Sequence, residues 1–393
     1  MKRLLLYAII AISALTAYAD LGEDGYYRVQ SGFTKRYAYL LDNKGYFNST
    51  TSSVDVRALE LYLSKDMTIS DPSCIFYVNH IENQSSKITY DIAGQGTSVH
   101  GFLDEYVKIY KDKKYDGLQS YLIYASKSGL TKYLGDRQTE SDADAGLASA
   151  DVTGDRRLWY FHKVDSSSDD CYFGIAPSVA AGGKFYHPFY ASFPFSAASE
   201  GMKFYAVDQI DPRGVVVIKE IDGVIPGSTP VIAECSSALP SDNRLNIGGS
   251  AQAQTAANYL KGVYFDNPGV IHFNRTPFDQ ESMRVLGLKD GKLAFVKGDY
   301  EYIPRNQAFL QLTEAEQYKA SDFVLMTPEE YEVYKNENNA VAVLPVSANV
   351  DVYSLDGRLV KSGISKSEVS SLGNGLYILK SGDKSEKIVV SGQ

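Results

Sequence analysis

The amino-acid sequence predicts a mainly β chain of several modules in series, interrupted by short helices, and three observations carry that expectation. Alternating apolar and polar runs turn repeatedly at Asp-Gly: residues 283–288 turn at Asp290-Gly291 into 292–296, and 350–355 turn at Asp356-Gly357 into 358–360. Alternation puts successive side chains on opposite faces of a strand, and Asp-Gly supplies the positive φ that a tight hairpin needs. Thirty Tyr against one Trp give an aromatic composition suited to pleated, half-buried surfaces. A phrase of nine residues also occurs twice in the first half, and 393 residues are enough for two or three domains.

The N-terminus comes first. Lys2 and Arg3 precede an apolar run from Leu4 to Ala19 that ends Ala17-Tyr18-Ala19. A basic start, a short apolar stretch and a small-x-small end mark a secretory signal peptide, residues 1–19, with Asp20 opening the exported chain. The run is shorter than the roughly 20 residues that span a bilayer, and no later stretch approaches it, so no transmembrane segment is expected. The address is therefore outside the cytoplasm: extracellular, on the outer cell surface, or periplasmic. The formal charge of −9 becomes −11 without Lys2 and Arg3. An acidic balance argues against nucleic acid or an anionic membrane as partner. Three cysteines, Cys74, Cys171 and Cys235, are too few for a disulfide framework and too scattered for a metal motif, and their pairing stays open.

Residues 20–187 carry the repeat. Tyr27-Arg28-Val29-Gln30-Ser31-Gly32-Phe33-Thr34-Lys35 is echoed by Tyr124-Ala125-Ser126-Lys127-Ser128-Gly129-Leu130-Thr131-Lys132. Each is followed by a Tyr/Leu run ending in Asp, at Asp42 and at Asp136. Further echoes pair Ile75-Phe76-Tyr77-Val78 with Trp159-Tyr160-Phe161-His162, and Tyr90-Asp91-Ile92-Ala93 with Phe173-Gly174-Ile175-Ala176. Two copies about a hundred residues apart, with room for one between, predict a β-trefoil-like domain; a duplicated β-sandwich is the competing geometry. The phrases also resemble the opening strands of ricin-type trefoil lobes, and Trp159 sits where such lobes carry an inward aromatic, although no lobe shows Gln-x-Trp. That resemblance implies carbohydrate binding, by a carboxylate that accepts hydroxyl protons and an aromatic face that stacks on the sugar. Asp42, Asn43 and Tyr46 after the first phrase, and Asp136 after its echo, are the right chemical types in loops. Turn-forming Asp-Asn beside a surface Tyr explains the same residues without a ligand.

Residues 188–312 read as a second β-module, a sandwich or similar, beginning where His187-Pro188 favours extended chain. Its Ile225-Pro226-Gly227-Ser228-Thr229-Pro230-Val231-Ile232 and Ile303-Pro304-Arg305-Asn306-Gln307-Ala308-Phe309-Leu310 resemble phrases of a module common in gut Bacteroidetes surface proteins, which brings no catalytic assignment. Residues 313–343 should be a short helical linker region. Thr313-Glu314-Ala315-Glu316 and Thr327-Pro328-Glu329-Glu330 both place Thr at an N-cap with Glu at N3, and 335–340 should be a polar hinge. Residues 344–393 form a small C-terminal β-sandwich module, with turns at Asp356-Gly357 and Asn374-Gly375 and a core of Val350, Val352, Leu359, Tyr377 and Ile388. Its wording resembles the type IX secretion sorting modules of Bacteroidetes, which implies the secretion and sorting machinery as partner. The chain lacks the terminal basic residue and opening Pro-Asn-Pro of that pattern.

No catalytic motif emerges. There is no G-x-S-x-G elbow, no glycine-rich phosphate loop, and no pair of His at helical spacing among His80, His100, His162, His187 and His272. Asp151-Val152-Thr153-Gly154-Asp155 has part of a calcium loop's oxygen chemistry but no closing Glu. No catalytic residue, metal ligand or cofactor is therefore assigned. Three classes of function remain. Glycan binding leads, a non-enzymatic adhesin or assembly protein that binds another surface protein follows, and a hydrolase with an unrecognised site is third, because paired carboxylates leave no spacing rule.

Overall fold

A computed structural model of the chain describes residues 21, 24–40, 59–62, 65–81, 89–94, 107–115, 118–127, 130–136, 147–150, 154–251, 257–269, 273–313, 320–339, 348–382 and 384–390. The chain is mainly β, with curled sheets. It divides into two compact units, Met1–Leu325 and Met326–Gln393.

The first ten strands are β1 (Gly25–Ser31), β2 (Tyr37–Leu40), β3 (Leu59–Tyr62), β4 (Phe76–Ile81), β5 (Thr89–Gly94), β6 (Val107–Tyr115), β7 (Leu118–Lys127), β8 (Leu130–Asp136), β9 (Leu147–Ala150) and β10 (Trp159–Lys163). Six of them close on themselves. β1 pairs β4, β4 pairs β5, β5 pairs β6, β6 pairs β7, β7 pairs β10 and β10 returns to β1, all antiparallel. The repeated phrase is a hairpin both times: Gln30 faces Tyr37 across β1–β2, and Tyr124 faces Tyr133 across β7–β8. A third strand then joins each hairpin, β3 on β2 and β9 on β8. Strand alternation explains the interior. Tyr27 and Val29, Phe76 and Val78, Tyr121 and Ile123, and Trp159 and Phe161 are two apart on their strands and meet in one buried cluster. Closure leaves no free edge among the six strands.

Between these inward pairs, Arg28 points to the outside of the ring yet is only 1% exposed. Its Nη2 donates to the Tyr172 carbonyl at 2.8 Å and the Thr68 carbonyl at 3.1 Å. One guanidinium therefore ties the segment before β4 and the segment after β10 to the wall of the ring.

Fifteen more strands complete the first unit: β11 (Phe173–Gly174), β12 (Val179–Ala181), β13 (Lys184–Phe189), β14 (Phe195–Ala197), β15 (Lys203–Asp211), β16 (Val215–Glu220), β17 (Val231–Cys235), β18 (Arg244–Ile247), β19 (Leu260–Val263), β20 (Thr276–Pro277), β21 (Met283–Lys289), β22 (Lys292–Val296), β23 (Tyr302–Ile303), β24 (Gln307–Gln311) and β25 (Phe323–Met326). Ten form one sheet in the order β12-β13-β17-β15-β16-β25-β22-β21-β24-β19; β11-β18-β14 and β20-β23 form two smaller ones. The domain boundary read at 187/188 falls inside β13, whose residues pair with β17. The proposed echo of Tyr90 in Phe173 fails for the same reason. Tyr90 lies in a ring strand, whereas Phe173 pairs Leu245 in the three-stranded sheet. Ring and sheets also share their cores: Phe265 joins the ring cluster, while Ile75 is buried among Phe173, Phe189 and Phe193.

The second unit starts with helix α1 (Pro328–Asn339) and ends with β26 (Asn349–Ser354), β27 (Leu359–Ser365), β28 (Gly375–Ser381) and β29 (Lys384–Val390). The second predicted cap is made as expected. The Thr327 amide donates to Glu330 Oε2 at 2.8 Å and the Glu330 amide returns to Thr327 Oγ1 at 3.3 Å. The first, at 314–316, lies outside the described residues. Two readings of 313–343 change. Phe323–Met326 is a strand paired with β22, and the polar stretch expected to be a hinge continues the helix to Asn339. The C-terminal strands make a single sheet, β27-β26-β28-β29, instead of a sandwich. A 3-10 turn, Lys366–Ser371, contributes Val369 to its core with Val350, Val352, Leu379 and Val390. Tyr377 and Ile388 pack against that core, but Leu359 is 50% exposed because it pairs with Tyr353 on the opposite face. Asp356-Gly357 is a tight turn, closed by the Ser354 amide on the Arg358 carbonyl. Asn374-Gly375 instead leads from the 3-10 turn into β28 and joins no two strands as a hairpin. Among the described residues no helix is long and apolar enough to cross a membrane.

Candidate functional site

The repeated Ser-Gly-x-Thr-Lys phrase builds a turn whose polar atoms converge on Asp136. Ser31, the last residue of β1, accepts the Phe33 and Thr34 amides on its Oγ at 3.1 and 3.2 Å. Its own hydroxyl donates to Asp136 Oδ2 at 2.6 Å, and Thr34 Oγ1 donates to the same oxygen at 2.5 Å. Gly32 is needed for close approach, since a Cβ there would lie 2.7 Å from the Cβ of Leu158. Lys35 closes the turn in the left-handed region at φ 59°, and its amide donates to the Ser31 carbonyl. The Asp that ends the second phrase thus receives the hydroxyls of the first.

Asp136 is fully buried. Its carboxylate is engaged inside the chain, and a ligand would have to displace Ser31 and Thr34 to reach it. Asp42, Asn43 and Tyr46 lie outside the described residues. The structure therefore brings Asp136 together with Ser31 and Thr34, a partnership for which the repeated phrase was the only signal.

Around this turn lies a rim of cations on aromatic rings that sequence reading missed. The Arg156 guanidinium is 4.1 Å from the Phe33 ring centroid, Arg157 is 5.1 Å from Tyr133, and the Lys35 ammonium is 4.9 Å from Tyr160. Arg156 also donates to the Asp136 carbonyl at 3.4 Å. Phe33 is 40% exposed. Both arginines belong to the 3-10 turn Gly154–Arg157, next to the stretch read as part of a calcium loop, whose residues 151–153 lie outside the described residues. Each cation lies over one face of its ring and holds its N–H donors there, and such pairs contribute ~0.5–1 kcal/mol at exposed sites.

Other ionisable groups serve the fold. His162 Nε2 lies 2.9 Å from Gln30 Oε1, and burial, then Arg28 and Lys65, lower its pKa to about 4. Burial alone lowers His187 to about 4. Cys74, Cys171 and Cys235 are free thiols, each raised by burial, Cys235 to about 12. The Ile303-Pro304-Arg305-Asn306 phrase is a junction. Arg305 bridges Asp71 at 2.9 Å and Asp266 at 3.5 Å, while Asn306, at φ 56°, accepts Ser73 Oγ and donates to the Tyr190 carbonyl. Among the described residues no three His, Cys, Asp or Glu side chains gather as a metal site would require. No protein-family model, curated protein or solved structure matches the chain.

Proposed function

We propose that the chain is an exported glycan-binding protein whose N-terminal ring is a β-trefoil and whose sugar site lies at the end of the ring carrying the β1–β2 turn. The observation that carries the reading is the exposed Phe33 ring with the Arg156 guanidinium against it. A pyranose has an apolar C–H face and a rim of hydroxyls. An aromatic ring takes the first, and guanidinium and loop carboxylate take the second. The trefoil reading is supported by six antiparallel strands in a closed circuit, two of whose repeats contribute strand, hairpin and strand. In this reading Asp136 is a structural carboxylate, and Asp42 is the acid that meets the sugar.

Glycan-array binding of the full chain is the test. Binding that falls at least tenfold in Phe33→Ala and in Asp42→Asn, with the melting temperature retained, is the expected result. No binding to any glycan would remove the proposal and favour the runner-up, an adhesin or assembly protein that binds another protein. A secreted hydrolase is the third reading, and sugar release from a bound glycan would select it.

The second unit is proposed as the export address, on its resemblance to sorting modules. In support, it is a compact unit with its own core of Val350, Val352, Val369, Leu379 and Val390.

A further inference from the structure

Between β19 and β24 the chain builds a two-stranded ribbon, β20 with β23, in which Thr276 faces Ile303 and Pro277 faces Tyr302. Antiparallel partners share a face and neighbours along a strand alternate. Ile303 accordingly turns inward, 1% exposed beside Val263, Val285 and Phe309. Pro277 and Tyr302 share the outer face, and positions two residues along, Arg275 and Tyr300, fall on it too. The contacts agree. The Arg275 guanidinium is 5.0 Å from the Tyr302 ring centroid, and Phe273 meets the same ring edge-on at 5.9 Å. Phe278 lies on the inner side, packed on the cluster of Val263, Val285 and Phe309, and meets Tyr300 edge-on at 6.0 Å, so Tyr300 stands at the edge of the strip.

Three rings and a proline thus form a strip open to solvent, with Phe273 44% and Tyr300 47% exposed. The rings are held in place. Tyr300 lies over Gly298, where a Cβ would come within 2.4 Å of the ring, and the neighbouring Glu301 carboxylate raises the pKa of the Tyr302 hydroxyl. Arg275 Nε donates to the Asp266 carbonyl at 2.9 Å, which fixes the guanidinium over Tyr302. Ordering aromatic side chains before a ligand arrives removes an entropic cost from binding.

We propose that this strip is a second carbohydrate site, a ledge on which pyranose rings of one oligosaccharide stack against the exposed Phe273 and Tyr300, with Tyr302 and Arg275 supporting them from below. The chemistry matches along its length. Flat π-faces meet the C–H faces of the sugars, while the Arg275 donors and the Glu301 carboxylate stand at the hydroxyl rims. A stable protein partner fits less well, since it buries about 20–30 residues a side and the ribbon offers only a narrow strip interrupted by charge. The inference shares with the preceding reading the premise that the chain binds sugars, but it uses none of the ring-end residues.

Affinity electrophoresis of the full chain separates the two. Gels would contain a soluble β-glucan, a galactomannan, a polygalacturonate or a mucin. The Phe273→Ala/Tyr300→Ala variant should lose at least tenfold in affinity for the polysaccharide that retards the wild type. Its melting temperature should hold, because both side chains are half exposed. Tyr300→Trp keeps a flat face and should bind, with a change in indole fluorescence on adding the polysaccharide. Retardation lost only in Phe33→Ala overturns this inference and leaves the ring-end site. Retardation lost only in the ledge variant supports the inference and overturns the ring-end site. No retardation of the wild type in any gel overturns both.

Discussion

Gly32 and Asp136 explain the repeated phrase at the level of single residues. A Cβ at position 32 would press on Leu158, including its carbonyl oxygen at 3.0 Å, and backbone does not yield as a flexible side chain does. Gly32→Ala should therefore lower stability by ~1–3 kcal/mol, read as a shift of the urea midpoint at unchanged slope. Asp136→Asn leaves one oxygen to accept the Ser31 and Thr34 hydroxyls but removes the charge that strengthens both bonds and puts an NH2 in place of the other buried oxygen. The loss should be ~1–3 kcal/mol in the same measurement. Glycan binding, measured on the folded fraction, should be unaffected by Asp136→Asn if the acid that meets the sugar is Asp42. A variant as stable as the wild type would show that the Ser31–Thr34–Asp136 convergence contributes little.

Elements behave according to the strength of their local signals. The capping box of α1 satisfies an amide at each end of the Thr327–Glu330 pair, so Thr327→Ala should cost ~1 kcal/mol locally. Faster amide hydrogen exchange confined to residues 328–332 would register it, whereas an effect spread through unit one would contradict it. In the C-terminal sheet, Val352 is fully buried and Leu359 half exposed. Val352→Ala should destabilise that unit by ~1–3 kcal/mol, and Leu359→Ser should change it by less than ~0.5 kcal/mol, in thermal melts of the second unit's transition. The reversed order would mean that the sheet buries its other face.

At the scale of the whole molecule, pH should act through His162 and His187. Both have folded pKa values lowered from 6.5 to about 4, mainly by burial. The unfolded chain then binds protons more readily than the folded one. Stability is full above about pH 6.5 and falls progressively to pH 4, at up to ~1.4 kcal/mol for each unit of pH per group. Urea midpoints at pH 7 and pH 4.5 would show it, and His162→Gln with His187→Gln should flatten the slope in that window. Deletion after Ala340 tests the division into units. The ring and its sheets should keep their melting temperature, while delivery to the surface of the native host is lost. Normal delivery with a lowered melting temperature would overturn the address reading and make the C-terminal sheet a structural part of the protein.

Period-two alternation, Asp-Gly turns and the Thr-Pro-Glu-Glu cap are local signals, so the hairpin at 290–291, the turn at 356–357 and the start of α1 were all legible in the sequence. The repeat made the two β1–β2-type hairpins legible as well, because the same short-range interactions shape both copies. Tertiary structure decided what spacing cannot encode. The partner of each hairpin, the closure of β10 on β1 and the pairing of β13 with β17 depend on contacts between residues far apart in the chain. A one-residue slip exchanges the faces of a strand, which is why Leu359 was misread as core. Asp136 looked like a loop acid in sequence, and folding placed it at the end of β8, buried against Ser31 and Thr34 more than a hundred residues earlier. The rings of Phe33, Tyr300 and Tyr302 looked like any other tyrosines and phenylalanines of an aromatic-rich chain. Only folding set cations and neighbouring rings against them and left Phe33 and Tyr300 open to solvent, because stacking depends on positions in space that composition does not carry.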